Sequence, residues 1–344
     1  MVNVHASLAK PVLLLVLLIT LCFHCTQCEE VESVEYGKPA ESMGDSATLA
    51  REFDLDLRAQ HDLTSSSVIP QEQLMKIIAG AEKGNKDNLY YLGILKLYGI
   101  TLGKDVKGAG HYFTKAANLG HADSQTALGM MKLKGTGVEV DTVGAMNLFR
   151  RAVEQGNANG YWLLGKMLLE GKGAIKANHV EAFMLLQKAA EEHIPQAEHQ
   201  LGVMYEYGLG VPQNFKKAME YYTRAAEKHY VESMYHAALM HLYGRSGTLA
   251  YPQALALLEA GALSGHGPSA YYMGIMKTYG YGTNIDYPEA MHWFDLAATS
   301  GDDRVADDAF SNAQELNALL QEAEAHNSAV QDSYRIRQEE GAEL

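Results

Sequence analysis

The chain has 344 residues, 47% of them hydrophobic and 20% charged, with 32 Gly, 8 Pro and a formal net charge of −14. That length can hold one large core or several small ones. The excess of acid argues against nucleic acid as a partner, because phosphate contacts require clustered Lys and Arg, and it disfavours docking on anionic lipid.

At the amino terminus, Lys10 precedes an apolar run from Val12 to Ile19, and Leu21, Cys22 and Phe23 follow before polar residues begin. This stretch is about a dozen residues, the length of a signal-peptide core, whereas a membrane span needs about 20. Thr26 and Cys28 are small residues suited to the −3 and −1 positions of cleavage after Cys28. Residues 1–28 are therefore expected to be a signal peptide, the alternative being an anchor that stays in the membrane. Expected localisation is the endoplasmic-reticulum lumen or secretion, with further membrane contact only through a partner.

All three cysteines, Cys22, Cys25 and Cys28, fall in this segment. Their even spacing resembles a metal or redox motif. The expectation is instead that they leave with the signal, so the mature chain has neither a disulfide nor a thiol nucleophile. Residues 29–69 form an acidic segment, Ser-rich at both edges, around a helix-forming stretch at 47–62.

From residue 70 to 301 the sequence repeats itself. A Gly stands at 93, 129, 165, 202 and 274, with Ala238 completing the series at 36- or 37-residue intervals. Six residues later comes Gly99, Gly135, Gly171, Gly208, Gly244 or Gly280. An Ala then recurs as Ala109, Ala145, Ala182, Ala218, Ala254 and Ala290, followed by small pairs such as Ala116–Ala117 and Ala225–Ala226. Each unit closes at Gly120, Gly156, His193, His229, Gly265 or Gly301. Periods of this length signal stacked supersecondary units.

Within a unit, two apolar-periodic stretches flank a Gly-rich turn, and the spacing fits helices better than strands. The turn Gly can end the first helix with positive φ, and a second turn Gly follows at 137, 173, 210 and 282. Asp141, Asn214 and Asp286 suit the N-cap of the second helix. A Gly inside a helix costs about 1 kcal/mol against Ala, so its recurrence implies that larger side chains would clash. The closing position reads as left-handed backbone, which His tolerates better than most residues. Ala238 and Ser246 depart from the pattern in the fifth unit, where a local bend or looser packing is expected.

Gln71–Gly84 matches the second helix of a unit alone, making a half repeat before the six full ones. Residues 302–327 are expected to form a capping helix, since stacked arrays need covered ends, and 328–344 a mobile tail.

The series Ala197, Leu201, Gly202, Tyr205, Gly208, Gly210, Val211, Lys217, Ala218, Ala225 and Ala226 resembles the Sel-1-like repeat, a longer relative of the tetratricopeptide repeat. The resemblance implies an all-α, right-handed superhelical α-solenoid of about six helix-turn-helix repeats with a C-terminal capping helix. A signal peptide before such repeats is similar to the luminal adaptor of the endoplasmic-reticulum ubiquitin ligase. That likeness implies a scaffold in protein quality control whose partners are a ligase subunit, a chaperone, a lectin or a misfolded client. The chain is shorter than that adaptor and lacks its C-terminal span, and its ending Gly341–Leu344 keeps only the last two residues of a retention signal. The alternative is an exported or vacuolar repeat protein that binds a partner outside quality control.

No nucleophile elbow, phosphate loop, zinc-protease or calcium-loop motif occurs in the sequence. His193 and His199, like His236 and His241, read as packed or solvated residues instead of metal ligands, and the acidic residues as a solvated outer face. Catalytic residues, cofactors and metals are expected to be absent. An enzyme would require a deep pocket with convergent ionisable groups, which the pattern does not suggest.

Stacked hairpins leave a concave face suited to extended partners. Positions two before, one after and five after the mid-helix Gly form one stripe, which includes Ile94, Met130, Leu163, Lys166, Gln200, Val203 and Leu239. Its tyrosines, Tyr91, Tyr98, Tyr207, Tyr243, Tyr272 and Tyr279, are the candidate partner-binding residues, because Tyr offers large area with a polar tip. The alternative is that many of them pack between helices. Exposed end units are also where two copies would meet as a homodimer.

Overall fold

Fourteen helices, with no strand among the described residues, form an α-solenoid in the computed structural model, which describes residues 69–171 and 175–341. The expected signal peptide with its cysteines, the acidic segment to residue 68, the second turn Gly at 173 and residues 342–344 lie outside these.

Helix α1 (Gln71–Glu82) stands alone as the expected half repeat. Six hairpins follow, each a helix A and a helix B. They are α2 (Lys86–Tyr98) with α3 (Val106–Asn118), α4 (Ala122–Lys134) with α5 (Thr142–Glu154), and α6 (Ala158–Glu170) with α7 (His179–Glu191). Then come α8 (Pro195–Tyr207) with α9 (Phe215–Glu227), α10 (Val231–Leu242) with α11 (Tyr251–Leu263), and α12 (Gly267–Tyr279) with α13 (Tyr287–Ala298). Helix α14 (Ala306–Gly341) packs on α13 and ends the array. It does not stop near residue 327 but runs on to Gly341, because no Gly or Pro interrupts residues 302–340.

The small residues mark where backbones close on one another. A methyl group added at Gly129 would lie 2.5 Å from the ring of Phe149, and one at Gly202 2.6 Å from that of Tyr222. In the five hairpins that have it, the mid-helix Gly of helix A thus seats a large side chain of helix B, an aromatic ring in four of them and Leu186 against Gly165 in repeat three. In repeat five Ala238 stands where Gly is usual and Leu258 holds the matching position of helix B; both are fully buried. The looser packing expected there is not found at these two positions, and the change falls in the turn. Helix α10 ends at Leu242, one residue early, and Gly247 takes φ +136°. All six recurring Ala residues, Ala109 through Ala290, have no exposed surface.

Turn and cap chemistry agree with the spacing. The first turn glycines are left-handed, and so are His193 and His229, both at φ 61°. Asp141, Asn214 and Asp286 accept the backbone N–H three residues on, at 2.7, 3.0 and 2.9 Å. Asp105 and Asn178 do the same. The second turn Gly joins repeats: a methyl at Gly137 would strike the Val106 carbonyl at the start of α3.

Candidate docking surface

Helices A form the inner layer, since α4 touches α6 and α6 touches α8 across repeats. Their first turns are stitched by a rung absent from the sequence reading. His121 and His266 cap their helices by accepting from Ser124 N and Ser269 N through Nδ1. Nε2 of each ring faces a carboxylate on the preceding helix A. His121 lies 3.5 Å from Asp87 and His266 3.3 Å from Glu232. Asn157 fills the same place, donating to Asp123 at 2.7 Å. Only the three-residue offset from His to Ser hints at this in the sequence.

The proposed stripe is not one exposed face. Ile94, Met130, Leu163, Lys166, Gln200, Val203 and Leu239 are all buried, because each helix A packs between its own helix B and the helix before it. The tyrosines differ. Tyr91 is 44% exposed, while Tyr98, Tyr207, Tyr243, Tyr272 and Tyr279 are half-buried. Tyr243 and Tyr272 come together across repeats five and six, with hydroxyls 3.4 Å apart. Tyr272 also meets Tyr235 at 5.7 Å between centroids, and Tyr279 stacks on Tyr281 at 5.8 Å. Tyr91 and Tyr98, in the first repeat, stand apart from this group.

Beneath the carboxy-terminal tyrosines lies a polar network. Glu206, on α8 and 2% exposed, accepts from the Tyr222 hydroxyl at 2.7 Å and from Arg245 at 3.2 Å, with His236 at 3.5 Å. Burial by itself would raise this carboxyl; the contacts with His236, Tyr222 and Arg245 hold it below its ordinary value. His199 pairs with Ser233 at 3.0 Å, and burial pushes it well below the usual imidazole range. Glu232 is opposed by burial too, yet His266 and Arg304 bring it down to about 2. Burial and the Glu206 charge raise Tyr207. Glu198, with no exposed side chain, is held by Arg224 at 2.7 Å and Lys228 at 2.6 Å.

These buried carboxylates correct the expectation that acid sits on the solvated face. Glu198 has two cations beside it and Glu206 has Arg245, without which burial would be very costly. His193 is exposed while His199 is buried, and His236 packs against Tyr222 at 5.1 Å. Among the described residues no group of three or more His, Cys, Asp or Glu is placed to hold a metal ion. None of the described helices is long and apolar enough to cross a membrane.

The Sel1 repeat model matches six consecutive segments, at 89–121, 122–157, 158–193, 195–230, 231–266 and 267–302. The chain belongs to the Sel1 repeat family. The first Sel1 match begins inside α2, and each of the other five begins on the first residue of its helix A. The solved structure of a Sel1 repeat protein from Oxalobacter formigenes is 28% identical, with a TM-score of 0.61 over 66% of this chain and 93% of that one. A protective antigen present in uropathogenic Escherichia coli strains, described as displaying an SLR fold, is 24% identical with a TM-score of 0.67. It shares the fold over 73% of this chain, which spans about half, 54%, of the antigen's length. No curated protein matches the chain in sequence. Sel1 arrays are protein-interaction scaffolds.

Proposed function

We propose that this Sel1 array is a protein-binding adaptor of the secretory pathway, working in endoplasmic-reticulum quality control. In this reading partners dock on the inner side of repeats four to six through Tyr207, Tyr243, Tyr272 and Tyr279, with Tyr91 and Tyr98 as a separate contact at the other end. The observation that carries it is the half-exposed tyrosine group resting on a buried ionic network. Rings whose bases are fixed lose little freedom on binding while keeping a polar edge for the partner. The secretory compartment is supported by the charged-then-apolar pattern of residues 10–23 and by the likeness to the luminal adaptor. The partner class that follows is a ligase subunit, chaperone, lectin or misfolded client.

The test is crosslinked affinity capture of the tagged chain from its own cells, beside a variant with Tyr207, Tyr243, Tyr272 and Tyr279 changed to Ser, together with its localisation. The adaptor reading expects luminal residence, recovery of a membrane ligase or a luminal chaperone, and loss of that partner in a variant that still melts cooperatively. Recovery outside the cell or in a vacuole, with no such partner, would favour the exported reading and reject quality control. An unchanged partner set in the variant would reject the tyrosine face.

A further inference from the structure

The seam between repeats four and five separates two apolar cores. One runs through repeats one to four, from Tyr90 to Met204. The other holds repeats five and six with α14, from Ala238 to Leu316. Between them lies a small cluster in which Ala237 and Met240 of α10 join Val203, Tyr205, Ala218 and Tyr222 of repeat four. The polar ties across the seam run beside it. His199 of α8 pairs through Nδ1 with Ser233 at 3.0 Å, and Glu206 faces His236 at 3.5 Å and Arg245 at 3.2 Å. The two imidazoles meet edge to face at 5.2 Å between centroids, and His236 stacks on Tyr222 at 5.1 Å.

These two rings are not equivalent. A proton on His236 meets the Glu206 carboxylate, whereas a proton on His199 meets a hydroxyl and a second imidazole. Around His199, α6 contributes Lys166, and α10 contributes His236 and Glu232, the last already held by His266 and Arg304. Tyr222 of α9 lies 5.5 Å from the ring and Tyr230, ahead of α10, 5.2 Å. On α8 itself Glu198 is held by Arg224 and Lys228, and the ionised side chains of α7 and α9 are not buried. Burial first, and then His236, keep the His199 ring neutral in the closed seam. Once the seam parts and water reaches it, an ordinary imidazole takes up a proton below about 6.5. The closed state thus binds fewer protons than the open one, and acid favours opening. Repeats of a solenoid touch only their neighbours, so parting here leaves both larger cores intact.

We propose that this seam is an acid-opened joint: a proton on His199 is incompatible with the contact between α8 and α10, and repeats five and six swing away from repeat four as the medium turns acid. Tyr207 stands on one side of the joint and Tyr243 and Tyr272 on the other, so opening divides the docking face. That consequence rests on the tyrosine reading above; the joint itself does not.

The experiment uses the full chain carrying C22S, C25S and C28S, which removes competing thiols. Ala237→Cys places a thiol in the seam, at a position where repeats one to four carry Leu. Ala190→Cys places a control thiol in repeat three, where repeat two carries Val153. The rate of reaction with a dipyridyl disulfide, divided by the rate of the same chain unfolded in urea, is measured at pH 7 and pH 5. The seam thiol is expected to gain severalfold at pH 5, up to the about 25-fold that one imidazole allows, while the control barely changes. His199→Gln removes the gain, and so does His199→Tyr, which copies Tyr235 of repeat five; thermal unfolding at pH 7 confirms that each variant is folded. A seam thiol no more reactive at pH 5 than at pH 7 overturns the joint. So does an equal gain at both thiols, which is general loosening, and so does a gain that survives both His199 variants. A gain at the seam with a captured partner still held at pH 5 supports the joint and counts against docking on Tyr207.

Discussion

In repeats two and three the inner helices are filled mainly by apolar side chains, with Leu128, Met130 and Met131 on α4 and Trp162, Leu163, Leu164 and Met167 on α6. In repeats four and five the same layer holds His199, Gln200 and Glu206 on α8 and Tyr235 and His236 on α10. The backbone hardly registers the change. Both regions keep the left-handed turn Gly, the fully buried Ala of helix B and the side-chain cap at its start in all but repeat five. The hairpin geometry is therefore held by a few small residues and caps, while the chemistry of the inner layer is free to differ. An ionic cluster is weak evidence for stability, since cations and anions must both be desolvated. The Glu206 cluster lies in the half that carries the clustered tyrosines, which fits a role in presenting them.

The largest effect should come from the apolar half. Phe149→Ala empties a fully buried site against Gly129 and is expected to cost about 3–5 kcal/mol, read from denaturant unfolding. In the polar half, Arg245→Ala leaves the Glu206 carboxylate short of a cation and should cost about 2–3 kcal/mol. If that variant is as stable as the parent, the network contributes nothing to the second region and the contrast between the halves is only one of composition.

Gly129→Ala sharpens the comparison with repeat five. Overpacking against Phe149 should cost about 1–3 kcal/mol, despite the better helix propensity of Ala. Adding Phe149→Leu, which copies the natural pair Ala238 and Leu258, should recover most of that loss. A double variant no better than the single one would break the account of why repeat five lacks its Gly.

The mildest effect is the response to acid near neutrality. His199 has a depressed folded value, so the unfolded chain binds more protons below about 6.5, and its stabilising contribution is lost as pH falls through that point. Glu206 and Glu232 are also depressed. Their contribution is present above about 4.5 and is lost below it, for Glu232 down towards about 2. Between pH 7 and pH 5 only the imidazoles respond, and His199 is depressed further than His121 of repeat two, so hydrogen exchange at pH 7 and pH 5 should show repeat four loosening more than repeats two and three. Equal protection in the two halves at both values would contradict this.

The repeat length, the left-handed glycines, the His residues at 193 and 229 and the caps at Asp141, Asn214 and Asp286 could all be read from the chain alone. Each of these rests on local backbone geometry, which the residue itself and its near neighbours dictate. The partners of Glu206 lay beyond that reading, because they stand 16 to 39 residues away, on α9, α10 and the turn after it. The burial of the stripe at Leu163 and Lys166 was equally hidden, since one-dimensional spacing shows which residues share a helix face but not how closely the next helix covers it. Local geometry determined the hairpins. Only the stacking of one hairpin on the next decided which tyrosines remain at the surface.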